Sequence, residues 1–276
     1  MNDESRTTSG VDEPEAPPRP RRKGIYILPN AITLAALFAS FYSIVMAMNG
    51  RFDVACIGIF TAAILDSLDG RVARMTNSQS AFGEQMDSLC DMVGFGAAPA
   101  LIMYEWALKD LGRLGWIPAF VYIAGAALRL ARFNVNIGVV DKRFFQGLPS
   151  PAAAALVIGL IYVMDDLGFK EAYKIDWLAW TAFGVTLYAG LSMVTNAPFY
   201  SFKVVGGKRT VPFAVIVAIA LGIAFIALDP PRVLFALFCI YGLSGYAVYA
   251  WRKAKGRHAS VIATSTDEPD EQGLHR

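Results

Sequence analysis

The sequence predicts an all-α integral membrane protein, a polytopic bundle of about eight transmembrane helices with polar, disordered tails. The first observation behind this fold class is composition, because the 276 residues are 55% hydrophobic and only 17% charged, with a mean hydropathy of +0.43, whereas soluble domains carry roughly 25% charged residues. The second is the placement of the charges, of which only 33 fall on the 233 residues from Ile25 to Arg257. So few charges do not cover a soluble surface of that size, which excludes a soluble monomer.

The third observation is a series of apolar stretches that define the elements in chain order. Residues 1–24 are Pro-rich and contain no apolar run, so they are predicted to form a disordered cytoplasmic tail and not a signal peptide. Residues 25–257 form the transmembrane domain, because a spanning helix needs about 20 mostly apolar residues and eight stretches approach that length. The stretches are 27–49, 53–73, 85–107, 115–136, 149–165, 176–197, 211–228 and 231–251. The polar residues 258–276 form a second disordered cytoplasmic tail.

Lysine and arginine are distributed unequally between the two sides of this bundle. An even number of spans puts both tails on one side, and with the tails in the cytoplasm 19 basic residues lie inside and six outside. Cytoplasmic loops of membrane proteins show this excess. The tryptophans fall at span ends, as interfacial aromatic belts predict; they are Trp106, Trp116, Trp177, Trp180 and Trp251. We therefore expect a multi-pass protein of the inner membrane with both termini in the cytoplasm.

One window of the sequence is rich in acidic residues despite its place beside and within the second and third spans. The five carboxylates lie within 26 residues and are Asp66, Asp69, Glu84, Asp87 and Asp91. Ionisable groups at membrane depth are costly and by default mark a functional site. The alternatives are that these carboxylates lie in a solvated loop between helices, or that they pair with Arg71 and Arg74 in a structural role.

Helical spacing favours the functional interpretation. Residues three and four apart share a helix face, and two such sets occur here: Asp66, Asp69, Gly70 and Ala73 on the second span, and Gly83, Asp87 and Asp91 on the third. Two facing helices would bring four carboxylates together. Oxygen ligands without histidine or cysteine favour Mg²⁺ or Mn²⁺, and the small residues leave room for a ligand.

The arginine beside this cluster favours a substrate that carries phosphate. Mg²⁺ is commonly held by carboxylates together with substrate phosphates, and Arg74 suits a phosphate as well. Two metal ions would clamp the attacking and leaving oxygens of a displacement at phosphorus. Two other classes remain open at this point, an ion-coupled transporter and a structural membrane protein. Continuous helices weigh against the transporter, and the structural protein leaves the carboxylates unexplained.

Residues 66–91 read D-x2-D-G-x2-A-R-x8-G-x3-D-x3-D. This pattern resembles the signature of the CDP-alcohol phosphotransferase family, the integral-membrane enzymes of phospholipid synthesis. Other stretches resemble the membrane-bound phosphatidylserine synthases within that family: LPN at 28–30, DSLCDMVGFGAAPA at 87–100, RLARFN at 129–134, FQGLPSPAAA at 145–154 and FYSFK at 199–203.

The resemblance implies transfer of a phosphatidyl group from CDP-diacylglycerol to the hydroxyl of L-serine, with release of CMP. It implies two Mg²⁺ or Mn²⁺ ions on Asp66, Asp69, Asp87 and Asp91, with Asp91 also the base. Gly70, Ala73, Arg74 and Gly83 would bind CDP-diacylglycerol, with the arginine on the diphosphate. The resemblance further implies a homodimer, and no nucleic-acid partner is expected.

The acceptor site is expected at the end of the fourth span. A carboxylate is well bound by arginine, and Arg129, Arg132 and Asn134 are placed to receive that of serine. The alternative is that the arginines orient the protein or bind anionic lipid headgroups. Ser150 is expected to cap the fifth helix. Choline and glycerol 3-phosphate remain alternative acceptors.

Overall fold

The computed structural model describes residues 27–135, 144–200 and 213–255, almost entirely as helix. The α-helices are α1 (Ile27–Met48), α2 (Phe52–Met75), α3 (Ala81–Asp91), α4 (Ala98–Met103), α5 (Trp116–Val135), α6 (Ser150–Asp166), α7 (Asp176–Val194), α8 (Phe213–Leu228) and α9 (Pro230–Ala254). Short strands β1 (Phe144–Gln146) and β2 (Pro198–Tyr200) pair antiparallel, with Phe145 opposite Phe199. Each of the eight predicted spans is helical over most of its described residues, which confirms the all-α membrane bundle.

Five helical stretches in the described chain are long and apolar enough to cross a membrane. They are Ile27–Met48, Ala81–Leu114, Trp116–Val135, Asp176–Val194 and Pro230–Trp251. The other three are α2, which carries the charged residues of the motif, and the shorter α6 and α8. At 17 residues α6 is about 25 Å long, less than the roughly 30 Å of a hydrocarbon core. This length is tolerated because protein, not lipid, surrounds α6.

The core of the bundle is α6. Twelve of its residues are buried, and α2, α4, α7 and α9 all pack against it. Its first turns are a run of alanines from Ala152 to Ala155, which allow the neighbouring helices to approach closely. Around this core α1 packs along α2, and α5 packs along α7. In the described residues α8 packs mainly on α9 and leaves most of its apolar side chains exposed.

Helices α5 and α7 touch through two glycines. A Cβ on Gly125 would lie 2.3 Å from the carbonyl oxygen of Gly190, and a Cβ on Gly190 would lie 2.8 Å from Cα of Tyr122. Both contacts are with backbone, which cannot move aside as a flexible side chain can. The close approach of these helices therefore requires glycine at both positions.

The third span departs from the continuous helix that the sequence predicts. A π-helical turn, Met92–Ala97, separates α3 from α4, and a second one, Tyr104–Leu108, follows α4. A 3₁₀ segment, Lys109–Leu114, completes the stretch. The carboxylates of α3 all precede the first π turn, so the spacing argument for that face still applies.

The sixth predicted span, α7, ends at Val194, three residues before the approximate end at 197, because the chain there turns into β2, one strand of a ribbon that the sequence analysis did not predict. One further expectation was wrong. Trp106 is not part of an interfacial belt, since it is fully buried and its Nε1 donates to the carbonyl of Phe169 at 3.2 Å.

The predicted tails, 1–24 and 258–276, lie outside the described residues. So do several basic residues that entered the charge comparison, among them Lys142, Arg143, Lys203, Lys208 and Arg209.

The glycine contact gives a stability prediction with a control on the same helix. We expect Gly190→Ala to destabilise the protein by about 1–3 kcal/mol, because the added methyl group overpacks a backbone contact. Gly184→Ala should be neutral or slightly stabilising, since nothing lies within 4 Å of that position. Thermal unfolding in detergent measures both, and equal melting temperatures for the two variants would contradict the role of the contact.

Candidate active site

A cavity of about 290 Å³ opens at one end of the bundle, where α1 starts, α2 ends and α3 starts. It is lined by Pro29, Asn30, Thr33, Asp69, Gly70, Ala73, Arg74, Ser78, Gln79, Ser80, Gly83, Glu84 and Asp87. Most of these residues are polar or small, in contrast to the surrounding spans. All four residues that the motif assigns to CDP-diacylglycerol lie on this one cavity.

The turn between α2 and α3 shapes the cavity. Thr76 ends α2 by donating from Oγ1 to the Val72 carbonyl at 2.7 Å, and Asn77 reverses the chain with a φ of 52°. Ser80 then begins α3, because its Oγ accepts the backbone N–H of Gly83 at 3.0 Å, an N-cap bond. This capped start puts Gly83 and Glu84 on the cavity wall.

Three of the predicted carboxylates meet across the gap between α2 and α3. Asp66, Asp69 and Asp87 each present a carboxylate oxygen, and these oxygens all lie within 4.8 Å of one another. Helix α1 packs against both α2 and α3 and so fixes the width of the gap. Such an oxygen-only set at this spacing fits a hard divalent cation.

Thr33 on α1 orients one of these carboxylates. Its Oγ1 donates to Oδ2 of Asp69 at 2.6 Å, and both side chains are buried. A hydrogen bond from a neighbouring residue to a metal-ligating carboxylate fixes its orientation and tunes its affinity for the metal. The sequence analysis missed this residue, although a threonine one turn after Asn30 in the first span was the available signal.

Asp91 lies one turn after Asp87 on α3 and is not one of the three clustered carboxylates. Its carboxyl group is against that of Asp66, and the positive charge of Arg129 on α5 acts on it. Among the described residues, Oδ1 of Asp91 and Nε of Arg129 are the buried side-chain polar atoms without a hydrogen-bond partner. Buried polar atoms are normally satisfied, so these two leave hydrogen-bonding capacity for a ligand.

The other end of Arg129 is held by α6. Nη1 donates to Oγ of Ser150 at 2.9 Å, and Ser150 is almost fully buried. The expectation that Ser150 caps α6 was wrong: Pro149 occupies the cap position and no side chain makes a cap bond there. Ser150 instead orients the guanidinium.

Arg132 and Asn134, which the sequence places with Arg129, have other partners. The guanidinium of Arg132 donates to carbonyls at the end of α7 and of β1, those of Met193, Val194, Thr195 and Gln146, at 3.2–3.5 Å. Asn134 exchanges hydrogen bonds with Ser88 on α3, with its Nδ2 3.1 Å from Oγ. The three residues thus do not converge on one point, and their part in acceptor binding stays a prediction.

The predicted donor residues leave space at the cavity. Nothing lies within 4 Å of a Cβ built on Gly70, and Arg74 folds back so that its Nε donates to the Gly70 carbonyl at 3.0 Å. This places the guanidinium beside an open stretch of α2. Open space beside a positive charge suits a large, negatively charged ligand.

Comparison with known proteins gives a consistent result. Residues 26–188 match the CDP-alcohol phosphatidyltransferase family, and this range contains the cavity, the carboxylates and Arg129. The chain is 36% identical over 220 residues to the CDP-diacylglycerol–serine O-phosphatidyltransferase of Helicobacter pylori J99, covering 79% of this chain and 90% of that protein. Proteins of the same name from Mycobacterium leprae and Methanocaldococcus jannaschii are each 33% identical, over 232 residues (81% of this chain, 75% of that protein) and 191 residues (68% and 82%).

The bond between Thr33 and Asp69 gives a prediction about metal binding. We expect Thr33→Val, which keeps the shape of the side chain and removes its hydroxyl, to weaken Mn²⁺ binding by about 10- to 100-fold. Thr33→Ser keeps the hydroxyl and should bind nearly as the unaltered protein does. Titration of the purified protein with Mn²⁺, followed by electron paramagnetic resonance, measures the affinity. Unchanged binding in Thr33→Val would contradict an orienting role.

Proposed function

Because the chain belongs to the CDP-alcohol phosphatidyltransferase family, we propose that it transfers the phosphatidyl group of CDP-diacylglycerol to the hydroxyl of L-serine, giving phosphatidylserine and CMP. The observation that carries the chemistry is the cluster of Asp66, Asp69 and Asp87 beside a cavity lined by Arg74. The choice of serine is supported by the names of the relatives from three organisms.

The nucleotide end of the donor occupies the cavity in this proposal. Gly70, Ala73 and Gly83 leave its walls without bulk, and Arg74 binds the diphosphate, for which a guanidinium is well suited. The acyl chains remain in the bilayer in this proposal, since residues of α1, α2 and α3 line the cavity. A lipid donor therefore does not have to leave the membrane to react.

The aspartates hold the metal. The family is in general metal-dependent, and we assign two Mg²⁺ or Mn²⁺ ions to Asp66, Asp69, Asp87 and Asp91. Bound there, the ions supply Lewis-acid stabilisation of the charge that develops on the diphosphate as CMP leaves.

Asp91 is the proposed base. The serine hydroxyl oxygen attacks the phosphorus that carries the diacylglycerol, the bond from that phosphorus to the oxygen of CMP breaks, and Asp91 takes the hydroxyl proton. An alcohol is a weak nucleophile at neutral pH, so a carboxylate positioned to accept its proton lowers the barrier. The unpartnered Oδ1 of Asp91 supports this role.

We assign the serine carboxylate to Arg129. Its Nε has no protein partner, its Nη1 is held by Ser150, and its charge lies close to Asp91. The acceptor would then be bound by its carboxylate while its hydroxyl is near the base. We propose that Arg132 and Asn134 contribute to the same site indirectly. Arg132 joins the end of α5 to the end of α7, and Asn134 joins the end of α5 to α3.

Orientation and assembly are also proposals. The cavity lies at the end of the bundle where α1 and α3 start and α2 and α5 end, and the excess of lysine and arginine supports a cytoplasmic, inner-membrane assignment for that end. The family resemblance supports a homodimer formed through the membrane spans.

A turnover assay tests the function. We expect the purified protein, with CDP-diacylglycerol and Mg²⁺ or Mn²⁺, to release CMP with L-serine and not with choline or glycerol 3-phosphate. Asp91→Asn should abolish release while retaining CDP-diacylglycerol binding, because it removes the base and keeps the shape. If CMP is released only with choline or only with glycerol 3-phosphate, that alcohol and not serine is the acceptor. If CMP is released with no alcohol, the protein is not a phosphatidyltransferase.

The role of Arg129 gives a prediction that separates the two substrates. We expect Arg129→Ala to raise the KM for serine by about 10- to 100-fold, the effect of losing a charged hydrogen bond, with the KM for CDP-diacylglycerol within about twofold. Arg113→Ala, in the 3₁₀ segment that precedes α5, serves as the control and should change neither constant. Equal increases in both KM values for Arg129→Ala would mean that Arg129 is structural.

A further inference from the structure

The π turn that follows Asp91 sets the direction in which the chain continues from α3 into α4. A π-helical turn contains more residues than an α-helical turn and often occurs at a functional site. Here it rotates the residues after Asp91 relative to those before it, so that Gly94 packs against Ser40 of α1 and Gly96 against Ala126 of α5. The register of this turn therefore links the packing of α4 to the position of Asp91.

A proline contributes to the turn and a tyrosine from another helix completes it. Pro99 has no N–H to donate to the carbonyl of Phe95 four residues before it, and a proline ring crowds that carbonyl. The hydroxyl of Tyr122 on α5 donates to it instead, at 2.9 Å, and Tyr122 is fully buried. A buried carbonyl without a donor is costly, so this bond ties α5 to the π turn.

The same face of α5 also carries the positive charge that acts on Asp91. Arg129 lies seven residues after Tyr122, about two helical turns, so the two side chains share a face of α5. Tyr122 contacts the turn that follows Asp91, whereas Arg129 acts on Asp91 itself. Where α5 meets α7, the close approach of Gly190 fixes the backbone of Tyr122.

We propose that Tyr122 is a positioning residue for the transfer reaction. Its hydrogen bond to Phe95 holds the π turn in the register that places Asp91 against Asp66 and beside Arg129. Tyr122 does not touch the substrates and acts through the backbone that carries the base. This inference rests on the proposed function for its link to turnover.

Tyr122→Phe removes only the hydroxyl and tests the proposal. Tyr188→Phe is a matched control, because the hydroxyl of Tyr188 also donates to a backbone carbonyl, that of Gly242, at 2.8 Å between α7 and α9. We expect kcat for CMP release to fall about tenfold in Tyr122→Phe, with the KM for CDP-diacylglycerol within about twofold, and to be unchanged in Tyr188→Phe. Mn²⁺ affinity should fall about tenfold in Tyr122→Phe alone, since misplaced ligands bind a metal less well.

The outcomes separate the inference from the proposed function. If the unaltered protein releases no CMP, the proposed function fails, and the Mn²⁺ affinities still decide whether Tyr122 positions the cluster. A kcat and a Mn²⁺ affinity that are unchanged in Tyr122→Phe, or that fall equally in both variants, would overturn the inference.

A second variant covers the case in which Tyr122→Phe is too unstable to assay. Adding Pro99→Ala supplies a backbone N–H for Phe95 and relieves the crowding that favours the π turn. We expect the double variant to recover thermal stability without recovering turnover or Mn²⁺ affinity. If turnover and Mn²⁺ affinity recover together with thermal stability, the inference is overturned, because the hydrogen bond from Tyr122 to Phe95 would then serve stability only.

Discussion

Carboxylates held together in the membrane-spanning part of a protein repel one another, and a low dielectric constant strengthens that repulsion. The described structure balances it from several helices at once. Thr33 of α1 donates a hydrogen bond to Asp69, Arg129 of α5 places a positive charge near Asp91, and the gap between α2 and α3 suits a divalent cation. Because each contribution comes from a different element, the packing of the bundle and the electrostatics of the cluster depend on each other.

Helix α5 shows how this dependence is built into the packing. Gly125 brings the middle of α5 against α7. Arg132 binds carbonyls at the end of α7, where the helix dipole is negative and favours a cation. Between these contacts Arg129 projects toward Asp91 and Ser150 with little freedom to move. A long, flexible side chain is thus held by its neighbours, which lowers the entropy lost when a ligand binds.

The sequence was sufficient for those features that depend on local spacing. The steps from Asp66 to Ala73 and from Gly83 to Asp91 both lie in regular α-helix, so the faces predicted from them exist. Features that depend on distant partners could not be read in the same way. The π turn after Asp91 involves a hydroxyl from Tyr122, the partners of Arg132 come from α7 and β1, and Trp106 is buried by a loop more than 60 residues away. Periodicity carries no information about such contacts, because they arise only when helices pack.

The four carboxylates and the cavity come from one continuous part of the chain, Ile27–Asp91, whereas Arg129 follows 38 residues later and Ser150 later still. Proteins are synthesised from the N-terminus, and early segments begin to fold before later ones exist. The acidic cluster is therefore complete in the chain before Arg129 and Ser150 have been synthesised. The order of the helices thus separates, in time as well as in sequence, the carboxylates from the buried guanidinium that acts on Asp91.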